Sequence, residues 1–492
     1  MKYTSTRNKM LNISGSEAIV RGISEDGGLF VPVDFPQLSK NVIIELSEKS
    51  YEERAAYVMS LFLEDFSYEE LLSYAEKAYA KFDGDPCPVV NIDDGLYIME
   101  LWHGPTCAFK DIALTMLPYL LTAAKEKLGI KDKTLILVAT SGDTGKAALE
   151  GFRDVKDTDI MVFYPDEGVS RMQQLQMSTQ EGGNVYVGAI KGNFDDAQTA
   201  VKEIFADKAV EKDLKAKGYS LSSANSINWG RLLPQIAYYI SAYCDLLGSE
   251  EISYGDKINF CVPCGNFGNI LAGYYAMRMG LPIGKLICAS NINNILTDFF
   301  NTGIYDTKRD FHKTMSPSMD ILISSNLERL LFEMLERDDA KLIELMKELK
   351  ATGRYAIDKR LIEDRFLGFV AGYATEDDTF DTIYNNFDIY DYIFDPHTAV
   401  AAYVYNEYIL SGDETPTVIV STANPYKFSK DVYAAISEGS ETDDFSAAKR
   451  INLLTGMEMP EVIENLRQLP VRFEEVFDKD AIKNKVFEYT TR

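Results

Sequence analysis

The chain has 492 residues, with 50 Lys and Arg against 76 Asp and Glu, so its formal net charge is -26. A surface this acidic repels nucleic acid and anionic membranes, and the sequence contains neither a basic binding face nor a run near the ~18 apolar residues of a membrane span. The length leaves room for about three domains, and the composition, with 46% hydrophobic and 26% charged residues, is typical of a globular protein.

The N-terminus and the cysteines indicate a cytoplasmic protein. The first twenty residues are polar and lack the apolar segment of a signal peptide. The cysteines show no spacing typical of a disulfide framework, so we predict reduced thiols. Cys261 and Cys264 form a single C-x-x-C pair, but the chain has only 3 His and no second pair nearby. We therefore interpret them as buried residues beside a strand and predict no metal site.

Residues 1–86 are predicted to form a small N-terminal domain. Two helical patterns, YEERAAYVMSLFLEDF and SYEELLSYAEKAYAKF, follow Gly-rich turns such as EDGGLF. The segment FDGDPCP then marks a domain boundary, because Gly and Pro interrupt both helix and strand patterns.

From residue 87 onward, strand and helix patterns alternate. The run TLILVAT is continuously apolar, as in a parallel strand that is covered on both faces, and it is followed by SGDTG and a helical pattern. The same order recurs at INFCVP, CGNFGN and ILAGYYAMRMG. We predict an α/β fold with two regions of parallel sheet, 87–225 and 226–492. The second region contains a charged helical insertion at about 300–390 and ends in a helical segment.

Two junctions between a strand and a helix contain a glycine loop, TSGDTG at 140–145 and CGNFGN at 264–269. A helix N-terminus has unpaired backbone N–H groups and a partial positive charge, so each loop is a candidate anion site. Neither matches the dinucleotide or the triphosphate motif. Most such turns only reverse the chain, but two of them suggest a ligand with two anionic ends, such as a cofactor phosphate and a substrate carboxylate.

Lys110 is the unusual residue of the segment LWHGPTCAFKDIALTMLPYL. Apolar residues recur at helical spacing from Phe109 to Leu121, which predicts a buried helix with Lys110 in its first turn and a kink at Pro118. The alternative is a lysine whose ammonium reaches solvent. Burial and a positive helix end both lower a lysine pKa, and a free amine of this kind forms a Schiff base with a carbonyl cofactor.

Seven motifs, in this order, resemble the threonine synthase family in its longer form with an extra N-terminal domain. They are HGPTCAFKD, ATSGDTG, SSANSINWGRLLPQ, VPCGNFGNILAGY, SPSMDILISSNLER, DPHTAV and STANPYKF. The resemblance runs from about Tyr3 to Phe428 and more loosely to the end. It implies two parallel-sheet domains with pyridoxal 5'-phosphate in the cleft between them. It also implies conversion of O-phospho-L-homoserine and water to L-threonine and phosphate.

The resemblance also implies roles for individual residues. Lys110 is the Schiff-base lysine, Thr422 bonds the pyridine nitrogen, and Asp143 lies near the ring hydroxyl and the substrate. The cofactor phosphate is wrapped by Gly265, Asn266, Phe267, Gly268 and Asn269. Ser141 and Thr144 are our candidates for the substrate carboxylate. Arg231 is our candidate for the substrate phosphate, because a guanidinium can bond phosphate twice; a structural ion pair is the alternative.

Some questions stay open at this level. The chain has Asn424 and Tyr426 where relatives commonly read STAHPAKF, and Cys264 where Ser is usual. His103 and His397 are candidates for catalysis, although capping by Asp395 accounts for much of the DPHTAV motif. The alternatives are another enzyme of the same fold, such as a dehydratase, sulfhydrylase or phospho-lyase, and a non-catalytic metabolite-binding homologue. The sequence does not indicate the oligomeric state.

Overall fold

The structure is a computed structural model that describes residues 1–140, 142–166, 169–365, 368–437 and 439–491. The strands are β1 Tyr3–Ser5, β2 Asn8–Ile13, β3 Phe30–Pro32, β4 Val89–Asp93, β5 Leu96–Glu100, β6 Lys133–Ala139, β7 Thr158–Pro165, β8 Val185–Lys191, β9 Tyr219–Ser222, β10 Ile258–Pro263, β11 Ile283–Ser290, β12 Ile304–Asp306, β13 Arg354–Ala356, β14 Phe369–Tyr373, β15 Thr417–Ser421 and β16 Val476–Asp478.

The α-helices are α1 Gly15–Arg21, α2 Lys40–Ser47, α3 Tyr51–Phe62, α4 Tyr68–Tyr79, α5 Lys110–Leu114, α6 Leu117–Leu128, α7 Asp143–Phe152, α8 Arg171–Ser178, α9 Phe194–Ala206, α10 Lys208–Ala216, α11 Trp229–Gly248, α12 Gly268–Arg278, α13 Ile295–Thr302, α14 Leu327–Met334, α15 Asp339–Thr352, α16 Lys359–Arg365, α17 Glu376–Tyr390, α18 Pro396–Ile409, α19 Ser429–Ile436, α20 Asp444–Thr455, α21 Glu461–Glu464 and α22 Ile482–Tyr489. Short 3-10 turns occupy Pro317–Met319, Pro425–Phe428, Asn465–Gln468 and Lys479–Ala481.

The N-terminal segment forms a small antiparallel sheet, in the order β2-β1-β3, beside helices α1 to α4. Helices α3 and α4 begin where Ser50 and Ser67 form capping boxes, which satisfy the first free N–H groups. The segment packs on α11 through aromatic contacts, because the ring of Trp229 lies 5.2 Å from Tyr3 and 5.6 Å from Phe62. This contact supports the helix that carries Arg231.

The larger sheet has the order β14-β11-β10-β15-β5-β4 and is parallel except for β4. Every residue of β10 and β15 is buried, as expected for apolar strands that are covered on both faces. Because β10 and β15 are parallel neighbours, their carboxyl ends lie side by side. The loop after β10 and Thr422, which follows β15, therefore come to the same edge of the sheet.

The second sheet is parallel throughout and has the order β16-β8-β7-β6-β9. These two sheets confirm the predicted α/β fold. Two segments nevertheless cross the boundary that we predicted at residue 225. Strands β4 and β5 belong to the larger sheet, and β16 returns from the C-terminal segment to pair with β8. Strand pairing over such distances is decided by the free edges of the sheets, which a local sequence pattern does not record.

Two further features modify the sequence-based expectations. The helix predicted around Lys110 is two helices, α5 and α6, which are separated at Thr115 and Met116, and Pro118 lies in the first turn of α6. The charged insertion contains α14, α15 and the antiparallel pair of β12 and β13. Among the described residues, none of the helices is both long enough and apolar enough to span a membrane.

Candidate active site

Lys110 lies at the start of α5 and is buried, with 9% of its surface exposed. The segment in front of it is fixed to the loop after β15. Ala108 and Ala423 form an isolated antiparallel bridge, and the N–H of Phe109 donates to the carbonyl of Thr422 at 2.9 Å. Lys110 and Thr422, which are far apart in the sequence, are thus held on adjoining pieces of backbone.

The surroundings of Lys110 favour its neutral form. Its Nζ donates to the Ser318 hydroxyl at 3.1 Å, and the nearest carboxylate oxygen, on Asp143, lies 3.9 Å away. Burial lowers the pKa of Lys110 to about 8; Asp143 opposes this shift, and Arg231 and Lys427 add to it. About a tenth of the amine is therefore unprotonated at pH 7, far more than for an ordinary lysine, and the unprotonated amine is the nucleophile.

Asp143 is the first residue of α7 and is buried. Its Oδ1 forms an ion pair with Nζ of Lys427 at 2.9 Å and accepts from Gln173 Nε2 at 3.0 Å. Burial alone would raise the pKa of Asp143, but Lys427 and Lys110 outweigh it and hold the pKa below its usual value. Asp143 is thus an ionised carboxylate that faces two lysines.

The loop CGNFGN has the backbone geometry of an anion site. Phe267 adopts a left-handed conformation, with φ of 63°, and no side chain caps the helix that begins at Gly268. In the described part of the chain, the backbone N–H groups of residues 265–270 have no hydrogen-bond partner. A Cβ atom on Gly265 would lie 2.6 Å from the carbonyl oxygen of Ser318, so only glycine fits there. The loop presents donors to any group above it.

Asn269 supplies a further donor at this loop. Its Oδ1 accepts from the hydroxyls of Tyr238 at 2.6 Å and Tyr239 at 2.7 Å, which fixes the orientation of the amide. Its Nδ2 is buried without a partner among the described residues. A buried unpaired donor is costly unless a ligand accepts from it. A phosphate group, which only accepts hydrogen bonds, fits this set of donors.

Arg231 provides a cation close enough to Lys110 to lower its pKa. It is 4% exposed, donates from Nη1 to the Ala224 carbonyl at 2.8 Å, and has an unpaired Nε. Burial lowers its pKa to about 10, so the guanidinium stays charged at neutral pH. Over the described ranges it forms no ion pair, so the structural ion pair that we considered as the alternative is not seen. A buried guanidinium in this state is suited to an anionic ligand.

Comparisons with known proteins agree with this chemistry. The family model of the threonine synthase N terminus matches residues 2–79, that of the pyridoxal-phosphate dependent enzymes matches 87–358, and that of the threonine synthase C-terminal part matches 398–486. The chain is 38% identical to threonine synthase of Schizosaccharomyces pombe over 90% of each chain. The chain belongs to the threonine synthase family.

Two other relatives extend the comparison. Human threonine synthase-like 1 is 41% identical over 87% of this chain, which spans 59% of that longer relative. The crystal structure of pyridoxal-phosphate-bound threonine synthase from Brucella melitensis superposes with a TM-score of 0.89 and 36% identity and covers 100% of both chains. The family and the cofactor class that the sequence motifs predicted are both confirmed.

The remaining residues predicted from the resemblance to the threonine synthase family are placed as follows. Ser141 lies outside the described residues. Thr144 is the second residue of α7 and is half-buried. Thr422 is 6% exposed. Within the described chain, neither Thr144 nor Thr422 has a hydrogen-bond partner for its hydroxyl, so both hydroxyls are available to a ligand. Their roles stay predictions.

The sequence reasoning assigned no role to two residues that contact this group, Ser318 and Lys427. The backbone of Ser318 is fixed by His397. The N–H of Ser318 donates to His397 Nε2 at 3.1 Å, and His397 Nδ1 bonds Asp395 at 2.8 Å. His397 therefore carries its proton on Nδ1 and supports the backbone of Ser318. The only sequence signal for these residues was their presence in the motifs SPSMD and YKF.

The departures from the usual family motif have structural explanations. Asn424 accepts from the N–H of Tyr426 at 3.0 Å and so caps the following turn. Tyr426 is fully buried and bonds the carbonyl of Met457.

His103 lies against Glu100, with 2.7 Å between Nε2 and Oε2.

The six cysteines are free and buried, and Cys261 and Cys264 each donate to a backbone carbonyl. No group of three or more potential metal ligands occurs among the residues that the structure describes.

Proposed function

We propose that this protein is a threonine synthase, which converts O-phospho-L-homoserine and water to L-threonine and phosphate. The observation that carries the proposal is the presence of two separate groups of hydrogen-bond donors around one buried lysine, whose pKa is lowered to about 8. One is the loop 265–269 with its free N–H groups and Asn269, and the other is Arg231, which has no ion pair among the described residues. A phosphorylated substrate and a phosphorylated cofactor need two such places.

Lys110 and the loop after β10 would hold the cofactor. Lys110 would bind it covalently through Nζ, and the N–H groups of residues 265–269 would bind its phosphate. When bound, pyridoxal phosphate supplies an electron sink for the carbanion at the substrate α carbon. Nζ of Lys110 would also remove the proton from the substrate α carbon and later move protons at the β carbon.

Two further side chains would adjust the cofactor ring. The free hydroxyl of Thr422 would bond the pyridine nitrogen. A hydroxyl cannot protonate that nitrogen as a carboxylic acid could, so we expect moderate rather than full stabilisation of the carbanion. Asp143, which Lys427 keeps ionised, would lie near the ring hydroxyl and the substrate.

The substrate would be oriented at both of its ends. Arg231 would bind the γ phosphate until it leaves, because a buried guanidinium can donate two parallel hydrogen bonds to it. The hydroxyl of Thr144, with Ser141, would bind the carboxylate at the N-terminus of α7. Water would add at the β carbon once the phosphate has left. The six free thiols favour the cytoplasm as the compartment.

Product analysis with O-phospho-L-homoserine tests this proposal. Threonine and phosphate should appear in equal amounts in the presence of the cofactor. Lys110→Ala should abolish both products, whereas Lys125→Ala, which changes a buried lysine of α6, should retain them. Release of phosphate with 2-oxobutyrate in place of threonine would instead identify a phospho-lyase. Absence of both product and visible cofactor absorption would indicate a non-catalytic homologue.

A further inference from the structure

Lys427 and Lys110 both face the buried carboxylate of Asp143, and Lys427 lies closer to it than Lys110 does. Asp143 Oδ1 lies 2.9 Å from Lys427 Nζ, whereas its Oδ2 lies 3.9 Å from Lys110 Nζ. Lys427 has no exposed surface, and it also donates to the Thr106 carbonyl at 2.7 Å. Because Gln173 occupies Oδ1 as well, only Oδ2 is left to face Lys110.

The charges around Lys110 balance when Lys110 is neutral. The charged groups that act on it are Asp143, Arg231, Lys427 and Asp111. Asp111 accepts from the Thr106 N–H at 2.8 Å and hydroxyl at 2.6 Å, and although burial raises its pKa to about 6 it is mostly ionised at pH 7. Two anions therefore face two cations, and a proton on Lys110 would add an uncompensated buried positive charge.

The neighbouring titratable groups have hydrogen-bond or ion-pair partners of their own or are uncharged. Lys146 forms an ion pair with Glu150 at 3.6 Å, and His397 Nδ1 bonds Asp395 at 2.8 Å. Burial raises the pKa of Cys107 to about 12, so this thiol is uncharged.

We propose that Lys427 is a positioning residue: it holds the Asp143 carboxylate and supplies the balancing positive charge, so that Lys110 is not drawn into an ion pair and a larger fraction of it is the free amine. The inference rests on the proposed role of Lys110 as the cofactor-binding lysine. Without Lys427, Asp143 and Asp111 would face Arg231 alone, and protonation of Lys110 would restore neutrality. Lys110 would then become the cation that Asp143 binds, and its free amine would be about tenfold rarer at pH 7.

Trace labelling measures the pKa of the Lys110 amine in the wild type and in variants of Lys427. The full-length protein, stripped of cofactor, is treated with a small amount of acetic anhydride between pH 6 and 10.5, and acetylation at Lys110 is quantified by mass spectrometry. In the wild type we expect half-maximal labelling near pH 8. In Lys427→Met we expect the midpoint to rise by at least one pH unit, which lowers labelling at pH 7 about tenfold. Lys427→Arg, which keeps the charge, should retain the wild-type midpoint.

The matched control is Lys125→Met. Lys125 is also a buried lysine with a lowered pKa, and it donates to the Thr134 hydroxyl at 2.7 Å, but it does not contact Asp143. Its replacement should leave the Lys110 midpoint unchanged. If Lys427→Met does not fold, as judged by thermal unfolding, Lys427→Gln repeats the test, because its amide can still donate to the Thr106 carbonyl.

Two results would overturn the inference. One is a wild-type midpoint in the folded Lys427→Met or Lys427→Gln protein. The other is an equal shift in Lys125→Met, which would show a general effect of lost charge. The labelling needs neither cofactor nor substrate. A protein that made no threonine would therefore refute the proposed function and still give a readable result for Lys427.

Discussion

The two glycine loops have the same layout of strand, loop and helix, but they use their helix N-termini differently. In the loop 140–145 the hydroxyl of Thr140 accepts from the N–H groups of Gly142 at 3.0 Å and Gly145 at 2.9 Å, and the helix begins with the carboxylate of Asp143. In the loop 264–269 the described N–H groups from residue 265 onward are free, and the side chain that follows Gly268 is the neutral amide of Asn269.

The difference shows that a glycine loop before a helix does not by itself make a binding site for an external anion. An acidic residue in the first turn supplies the protein's own anion to the positive helix end. Asp143 does this in the first loop, where its charge faces two lysines. The second loop keeps its donors for a ligand. The proposed carboxylate site at the first loop therefore depends on the hydroxyl of Thr144 more than on backbone N–H groups.

Asn269→Asp would place an acidic residue in the first turn of the second helix, as in the first loop. Of the changes considered, it should have the largest effect on function, through cofactor affinity. The carboxylate would fit in the same space and accept from the same two tyrosines, but it would repel a phosphate within contact distance. At an effective dielectric constant near 20 this costs about 4 kcal/mol, so cofactor affinity should fall about 1,000-fold. Titration of the cofactor-free protein with pyridoxal phosphate gives the affinity. A variant that binds as well as Asn269→Ala would contradict the assignment of this loop.

Gly265→Ala should disturb the second loop through shape rather than charge. The new Cβ would meet the Ser318 carbonyl at 2.6 Å, and the backbone would have to move. Overpacking of this kind costs about 1–3 kcal/mol, so we expect a loss of cofactor affinity of up to about 100-fold. Gly183→Ala is the control, because a Cβ there meets nothing nearer than 3.7 Å. Equal affinity in both variants would refute the prediction.

Thr144→Ala should show that the two loops have different roles, because it should affect substrate turnover without affecting cofactor affinity. Loss of one hydrogen bond to a charged carboxylate costs about 2 kcal/mol, so kcat/KM for O-phospho-L-homoserine should fall about 30-fold. Cofactor affinity should not change, because we propose that the cofactor phosphate binds at the loop 264–269. Thr144→Ser keeps the hydroxyl and should retain most of the activity. A fall in cofactor affinity as large as the fall in kcat/KM would contradict the separate roles of the loops.

The rate of cofactor uptake should depend on pH, and this change should be smaller than those expected for the three variants. The pKa of Lys110 is lowered to about 8, so its neutral fraction rises with pH through that value and is nearly complete above pH 9. The rate of uptake by the cofactor-free protein should therefore rise about tenfold from pH 7 to pH 9.5 and then level off. A rate that still climbed steeply near pH 10.5 would indicate a lysine with an ordinary pKa.

Local patterns were enough to predict part of this site. The apolar run of β6, the glycine loops and the helical spacing of Ile112 and Met116 depend on neighbouring residues, so the parallel sheets and the burial of Lys110 could be predicted. Lys427 gave no local signal, since Thr106 and Asp143, which bind it, lie hundreds of positions earlier. Ser318 likewise depends on His397, which lies 79 positions later in the chain. Family motifs included these residues without assigning their roles.

The most direct test of the account is the visible spectrum after addition of pyridoxal phosphate to cofactor-free protein. The central claim is that Lys110 is the residue that binds the cofactor covalently. The wild type should develop the absorption band of a lysine-bound cofactor, and Lys110→Ala should show only the spectrum of the free compound, while both unfold at similar temperatures. The same band in Lys110→Ala would contradict the claim.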